Sequence, residues 1–274
     1  MRNIAIVIVL SLILLSCEKD EQLVIDNQQL IVENTDIPLI SKLLIDGETY
    51  KEYTYNDRNL LLEEKSKWFY TSYTYNDNNL LIDSDYYVDM RIVSSNSSVV
   101  EEAMNREEWV NPDNTEKSLT KSFEYNDQDQ LVTVNYIRPS VSNSEYSVFT
   151  IEKDRINRQS MYWKYELSHY IDYIYDESGN LIEETKYRVS SNGITELLTT
   201  TEYEYDSMHN PFQSFKRLLT PGINTNQNNI VKEIYTIHFE VDASTEKVQI
   251  TENSYEYNDM GYPIKKNEAT FVYK

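Results

Sequence analysis

The chain has 274 residues, 46 of them acidic against 25 basic, a formal net charge of -21 and an isoelectric point near 4.5. A surface so short of Lys and Arg cannot displace the counterions of a phosphate backbone, which excludes nucleic acid as a partner. Twenty-four tyrosines, seven phenylalanines and three tryptophans supply too much apolar area for broad disorder, and a single cysteine excludes an intramolecular disulfide.

Met1 and Arg2 give a positive start, and Ile4 to Leu15 is apolar except for Ser11. Twelve residues cannot span roughly 30 Å of hydrocarbon, so the segment reads as the apolar part of a signal peptide. Leu14-Leu15-Ser16-Cys17 resembles the bacterial lipobox, with Leu15 where the pattern more often has a small residue. That resemblance implies cleavage before Cys17 and diacylglycerol on its sulfur. Residues 1–16 are then a lipoprotein signal peptide. Residues 17–36 form an acidic tether, in which Leu23-Val24-Ile25 and Leu30-Ile31-Val32 could supply one early strand, and 37–274 are the domain. Each acyl CH₂ buried contributes about 0.8 kcal/mol, so two or three chains hold the protein to a membrane by lipid alone. Glu18-Lys19-Asp20-Glu21 is similar to the export signal of Bacteroidetes surface lipoproteins, which implies display on the outer face of the outer membrane.

A motif then recurs six times. The copies begin Tyr53-Thr-Tyr55-Asn56, Tyr73-Thr-Tyr75-Asn76, Phe123-Glu-Tyr125-Asn126, Tyr173-Ile-Tyr175-Asp176, Tyr203-Glu-Tyr205-Asp206 and Tyr255-Glu-Tyr257-Asn258. With the second Tyr as position 0, Asn or Asp at +1 opens a type I turn. Position +4 holds Asn59, Asn79, Asp129, Gly179, His209 or Gly261, residue types that tolerate positive φ. Together these predict a three-residue hairpin loop with a bulge, in which 0 faces +6 and -1 faces +7. Tyr55, Tyr75, Tyr125 and Tyr175 should therefore oppose Leu61, Leu81, Leu131 and Leu181. The +7 residues, among them Leu62, Ile82 and Val132, point to the opposite face, so the sheet should be covered on both sides near the turns or curl over itself.

Copies begin 20, 50, 50, 30 and 52 residues apart, which is not a uniform solenoid. Turn-rich connections such as Val93 to Ser98, Asn111 to Lys117 and Pro221 to Asn229 fill the longer intervals, between alternating stretches such as Tyr146 to Ile151. The expected fold is all-β: roughly 12 to 15 antiparallel strands in a meander of hairpins with little helix, forming one large curled sheet or barrel-like half-shell. Tyr173-Ile-Tyr175-Asp176-Glu-Ser-Gly179-Asn-Leu181 resembles the YD repeat of Rhs-type proteins. The whole arrangement from about Leu39 onward is similar to a family of uncharacterised Bacteroidetes lipoproteins with a porin-like β fold. The resemblance implies a meandering sheet and carries no catalytic residues. Only two copies keep glycine at +4 and the spacing is uneven.

No catalytic, metal or cofactor constellation emerges. His169, His209 and His238 stand apart without an HExxH or His-x-His pattern, no Gly-x-Ser-x-Gly occurs, and adjacent carboxylates such as Glu183 and Glu184 alternate faces on a strand. The Asn/Asp-rich tips match turn chemistry better than a calcium loop. Aromatic side chains can stack on sugar rings, and the candidates outside the motif are Trp163, Tyr165, Trp68 and Trp109, with Met161, Trp163 and Tyr165 expected on one face. The leading expectation is a non-enzymatic surface lipoprotein, a binding or structural module toward glycan or an envelope protein, touching the membrane only through its anchor. A carbohydrate-active enzyme and a small-ligand carrier with its site inside a rolled sheet are the alternatives. Cys17→Ser is expected to abolish incorporation of radiolabelled palmitate and to release the chain from the membrane fraction; label retained by that variant would rule out the anchor.

Overall fold

The computed structural model describes residues 37–274 apart from 95–96, 105–106, 140, 143, 216 and 239–246; Cys17, the signal peptide and the tether lie outside the described residues. Seventeen strands follow in chain order. They are β1 Ile40–Ile45, β2 Glu48–Tyr55, β3 Leu61–Ser66, β4 Phe69–Tyr75, β5 Leu81–Val88, β6 Lys117–Tyr125, β7 Leu131–Ile137, β8 Glu145–Glu152 and β9 Arg155–Trp163. The rest are β10 Glu166–Tyr175, β11 Leu181–Val189, β12 Thr195–Tyr205, β13 Ile230–Ile237, β14 Lys247–Glu252, β15 Tyr255–Tyr257, β16 Pro263–Lys266 and β17 Ala269–Tyr273. Among the described residues helix is confined to α1, Ser97–Met104, and two 3₁₀ turns, Met90–Val93 and Pro211–Phe215. The connection expected from Val93 to Ser98 thus includes the start of a helix.

The sheet is the expected antiparallel meander. Each strand from β1 to β13 pairs with its successor, β15 with β16, β16 with β17, and β17 returns to β1. No ladder joins β14 to β15, although only Asn253 and Ser254 separate them, so the sheet curls without closing. There, Asn253 N–H donates to Val231 O at 2.8 Å and Asn267 N–H to Ser254 O at 2.9 Å. One extended segment therefore serves β13 with its first half and β16 with its second; counted as one strand it leaves sixteen, one more than the expected 12 to 15.

The turns follow from the motif. Asn59 N–H donates to Asn56 O, Asn56 N–H to Leu60 O, and the Asn56 side chain accepts from Arg58 and Leu60 N–H. Asn59, Asn79 and Asp129 sit at φ 58°, 62° and 57°, and Gly179 and Gly261 are also positive. Position 0 opposes +6, as in Tyr55 with Leu61 and Tyr75 with Leu81. The next pair corrects the expected register: -1 faces +8, as in Thr54 with Glu63, and Leu62 at +7 is a bulge. The same bulge follows Leu81, Leu131, Leu181, Ile230 and Pro263. Bulges increase local twist, and six of them curl the sheet. The +7 side chains consequently point outward and half-exposed, as with Leu62 at 36% and Ile264 at 39%, instead of being covered.

That twist also separates neighbouring hairpins near their turns. The ladder between β3 and β4 stops at Glu63 and Ser72, and that between β5 and β6 at Asp83 and Ser122, leaving the carbonyls of Leu61 and Leu81 without a ladder partner. Tyrosine fills the gap. The Tyr75 hydroxyl donates to Leu61 O at 2.9 Å and Tyr125 to Leu81 O at 2.8 Å. Equivalent bonds run from Tyr55 to Ile40, Tyr175 to Ile156, Tyr205 to Leu181 and Tyr273 to Pro263. Tyr257 donates to the Asp206 carboxylate.

Copy five departs from the pattern. Asp206 pairs with Asn229, N–H to O at 3.1 Å, where copy one pairs Asn56 with Leu60, so residues 207–228 are inserted into an otherwise normal turn. His209 therefore occupies no positive-φ turn position, contrary to expectation; it stacks on Tyr262 at 4.9 Å, and its N–H reaches Gly261 O. The insertion crosses one face of the sheet. Phe215 packs on Tyr53 and Tyr55 at 5.2 and 6.3 Å within a cluster containing Ile40, Leu61, Leu81 and Phe271, and Leu219 packs on Leu131, Val134 and Phe149. The buried Asn180 accepts from Gln227 and Asn228 N–H, and Asn226 accepts from Leu181 N–H. The covered face is the inner one.

Burial raises the hydroxyl of Tyr125 to about 12, with the Arg217 guanidinium of the insertion pulling the other way. Tyr55, Tyr75, Tyr175 and Tyr205 are raised as well, chiefly by burial. Tyr125→Phe should lower stability by about 1 kcal/mol, read as a shifted urea midpoint at unchanged slope. Because the unfolded chain sheds these protons first, stability should hold up to about pH 10 and fall as pH rises through about 12. Tyrosinate absorbance that developed in the still-folded protein would contradict this.

Candidate functional site

Inner and outer faces differ in chemistry. The -1 residues Thr54, Thr74, Glu124, Ile174, Glu204 and Glu256 are exposed in every copy, while 0, -2 and +6 turn inward. The outer row carries Glu63, Asp83, Asp85, Glu124, Asp172 and Glu183 along the strands. Several are held by partners on the same face, such as Arg158 on Asp172 at 2.5 and 2.8 Å and Lys232 on Glu204 at 2.6 Å. A barrel embedded in lipid presents an apolar band about 25 Å tall at this place. The outer face of this sheet mixes these charges with exposed apolar side chains such as Ile137, Ile174, Val248 and Ile250, and no helix among the described residues is long and apolar enough to cross a membrane.

Tyrosine pairs recur on the same outer face, with Tyr70 and Tyr170 at -5 of their copies and Tyr146 five residues before Ile151, where the β8–β9 ladder shifts register in the same way. Tyr70 meets Tyr87 edge-on at 5.7 Å, Tyr170 stacks on Tyr187 at 4.7 Å, and Tyr146 stacks on Tyr162 at 4.8 Å with planes 4° apart. Each is a directly opposed cross-strand pair, where aromatic contact adds a fraction of a kcal/mol to the ladder. Sequence reasoning missed them because they lie outside the motif; their common offset from the turn was the available signal.

The Tyr146–Tyr162 stack extends to Tyr165 at 6.4 Å, on the two-residue turn between β9 and β10. Lys164 and Tyr165 both adopt left-handed φ, 51° and 67°. Asn and Gly fill such turns readily, whereas a bulky residue there is a rare outlier under strain. Tyr165 is nonetheless 76% exposed. The expected row of Met161, Trp163 and Tyr165 is thereby broken. Strand alternation ends at Trp163, which is 42% exposed beside Glu145 and Glu166 on the opposite face from Tyr162, and the turn carries Tyr165 to the Tyr146 side.

The other two tryptophans stand elsewhere. Trp68, between β3 and β4, is half-buried against Tyr50 at 5.6 Å, and its carbonyl accepts from Asp89 N–H. Trp109 lies half-buried in the β5–β6 connection, its carbonyl 3.4 Å from the Asn114 amide. Trp163 closes strand β9, whereas Trp68 and Trp109 occupy two separate connections.

The inner face is polar above the insertion. Glu64 accepts from Lys51 at 2.8 Å and Tyr73 at 3.4 Å, and Glu184 accepts from Tyr203 at 2.9 Å. Burial lowers Lys266, opposed by the nearby Glu233 carboxylate. His169, bonded to Ser168, is lowered by burial and by the charges of Lys186 and Arg188. Among the described residues no group of three or more His, Cys, Asp or Glu is placed to hold a metal ion.

No protein-family model and no curated protein matches the chain. Among solved structures it is similar to a porin-like protein from Bacteroides vulgatus, at 12% identity and TM-score 0.40, covering 86% of this chain and 99% of that one. A porin-like protein from Bacteroides uniformis gives 11% identity, TM-score 0.41 and coverage of 86% and 98%. A chain of the TcdB2-TccC3-Cdc42 structure gives 10% identity and TM-score 0.25, covering 80% of this chain and 13% of that one. At these scores the likenesses assign no ligand, activity or membrane insertion.

Relieving the strained turn tests whether Tyr165 is kept for packing. Replacing Lys164 and Tyr165 by Asn and Gly should stabilise the domain by about 1 kcal/mol in urea unfolding. Marked destabilisation would show that the ring is a structural prop.

Proposed function

We propose that the protein is a non-enzymatic glycan-binding module, held outside the cytoplasm by lipid on Cys17 and displayed at the cell surface. The observation that carries the reading is Tyr165, a large aromatic held exposed on a backbone it fits poorly, at the end of the parallel-stacked Tyr146–Tyr162 pair. Strain at one exposed position points to use of the side chain. The Tyr165 ring, tilted 54° to Tyr146, offers an aromatic face that suits a sugar ring and a hydroxyl that suits its equatorial hydroxyls. The water-facing outer row fits a domain that stays off the bilayer and depends on its anchor. Against the enzyme alternative stand the inner carboxylates Glu64 and Glu184, each tied to a lysine or tyrosine hydroxyl.

The test is a glycan array probed with the chain from Gln22 onward, beside Tyr165→Gly and Trp163→Ala. Selective binding lost in the first variant and kept in the second is expected, since Trp163 faces away from the stack. Because Tyr165→Gly relieves strain, lost binding there cannot be blamed on unfolding. Binding unchanged by Tyr165→Gly, or absent for every glycan, would refute the assignment.

A further inference from the structure

The repeats permit each inner position to be compared across copies. At +9, opposite the inward aromatic at -2, stand Glu64, Ser84, Val134, Glu184, Glu233 and Lys266. At -4 of copy one Lys51 lies 4.9 Å from the Phe69 ring and bonds the +9 glutamate of its own hairpin, Glu64. Copy three keeps the lysine as Lys121, and its ammonium lies 4.8 Å from the Tyr86 ring and 5.9 Å from Tyr136. The carboxylate is missing: the +9 residue of that hairpin is Val134, and the +9 residue of the hairpin before it, directly across the ladder from Lys121, is Ser84.

Two further facts mark the place. The Ser84 hydroxyl is buried, the residue being 1% exposed, and finds no hydrogen-bond partner among the described residues. A buried polar group left unpaired costs about 1 to 3 kcal/mol. Next to Lys121, Tyr136 Oη lies 3.2 Å from Ser147 Oγ, which accepts from Gln159 at 2.8 Å, and Gln159 accepts from Tyr173 at 2.9 Å. With Gln159 donating to it, Ser147 can give its own proton to Tyr136, leaving the Tyr136 O–H free to donate. Lys121, Tyr86 and Tyr136 are only half-buried, so they can be reached from the inner face.

We infer that Lys121 and Tyr136, beside the buried Ser84, form a binding site for an oxyanion on an acidic sugar, whose carboxylate or sulfate takes the place that Glu64 holds beside Lys51. A charge-assisted bond from Lys121 and a donor from Tyr136 would hold the anion, and the Tyr86 ring would carry the sugar. The site lies on the inner face and does not depend on the Tyr165 platform.

Titration calorimetry on the full chain in detergent tests this with oligogalacturonate, a sulfated oligosaccharide and, for contrast, neutral galacto-oligosaccharide and inorganic phosphate. Binding of one acidic oligosaccharide is expected, and which of the two binds distinguishes carboxylate from sulfate. Lys121→Met should weaken it at least tenfold, while Lys121→Arg retains most of it. Val134→Glu supplies the missing carboxylate from within and should block the site, with a thermal transition checking that the variant folds. Equal affinity in Lys121→Met, equal affinity for the neutral sugar, binding of phosphate alone, or no binding of any probe would overturn the inference. Tyr165→Gly should leave this binding intact, so failure of the outer platform and failure of the inner site can be told apart.

Discussion

The bond from a tyrosine hydroxyl to a carbonyl abandoned by the neighbouring hairpin is the constraint on which the rest of this structure depends. A bulge after each turn twists its hairpin away from the next, and the ladders between hairpins stop short, as at Glu63 and Ser72. An unpaired carbonyl left in the buried layer would cost about as much as the bulge geometry gains. Tyrosine solves both halves of the problem. Its ring fills the space between splayed strands, and its hydroxyl reaches the carbonyl, as Tyr75 does to Leu61 and Tyr205 to Leu181. Phenylalanine would supply only the first half. The abundance of tyrosine in this chain is therefore largely architectural, and a tyrosine is informative about function only where it does something else.

Curl, insertion and charge distribution follow from that arrangement. A sheet curled by its bulges has a concave face to fill near the turns, and residues 207–228 fill it with Phe215 and Leu219. The asparagines of this segment and its neighbours supply the hydrogen bonds that irregular backbone needs once it leaves water: Asn180 and Asn226 bond main-chain N–H groups directly. Acidic residues crowd the outer rows instead, where they stay hydrated or pair with Arg158 and Lys232. A net charge of -21 is thus compatible with an inner surface that keeps a lysine such as Lys121 clear of carboxylates.

How much of this was legible in the sequence depended on how local the cause was. Turn type, positive φ at Asn59, Asn79 and Asp129, and the pairing of Tyr55 with Leu61 are fixed within about seven residues, and all were readable. The bulge at Leu62 was not, because both registers place apolar residues acceptably and only the twist of the assembled sheet selects one. The fifth copy misled because Tyr203-Glu-Tyr205-Asp206 is intact while its closing residues, Asn229 and Ile230, come more than twenty positions later. Asn228-Asn229-Ile230 resembles the closing Gly179-Asn180-Leu181 of copy four, and that likeness was the available signal. Trp163 and Tyr165 were expected on one face as candidate binding residues, but strand alternation could not foresee that two left-handed residues would put them on opposite faces.

In a repeat protein the copies act as controls for one another. A residue that matches its equivalents is accounted for by the fold, so evidence of function must come from positions where one copy breaks the rule at a physical cost. Lys51 with Glu64 shows what an inner lysine requires for its charge, and Lys121 keeps the charge where Val134 and Ser84 replace the glutamates of other copies. The two-residue turn at Asp46 and Gly47 shows what left-handed backbone prefers, and Tyr165 takes the same conformation with an aromatic ring. Both departures place a costly group where solvent can reach it, one on each face of the sheet. Lys121 offsets part of its cost through the Tyr86 and Tyr136 rings and Tyr165 through its contact with Tyr146, and these two departures are the physical ground on which the proposals rest.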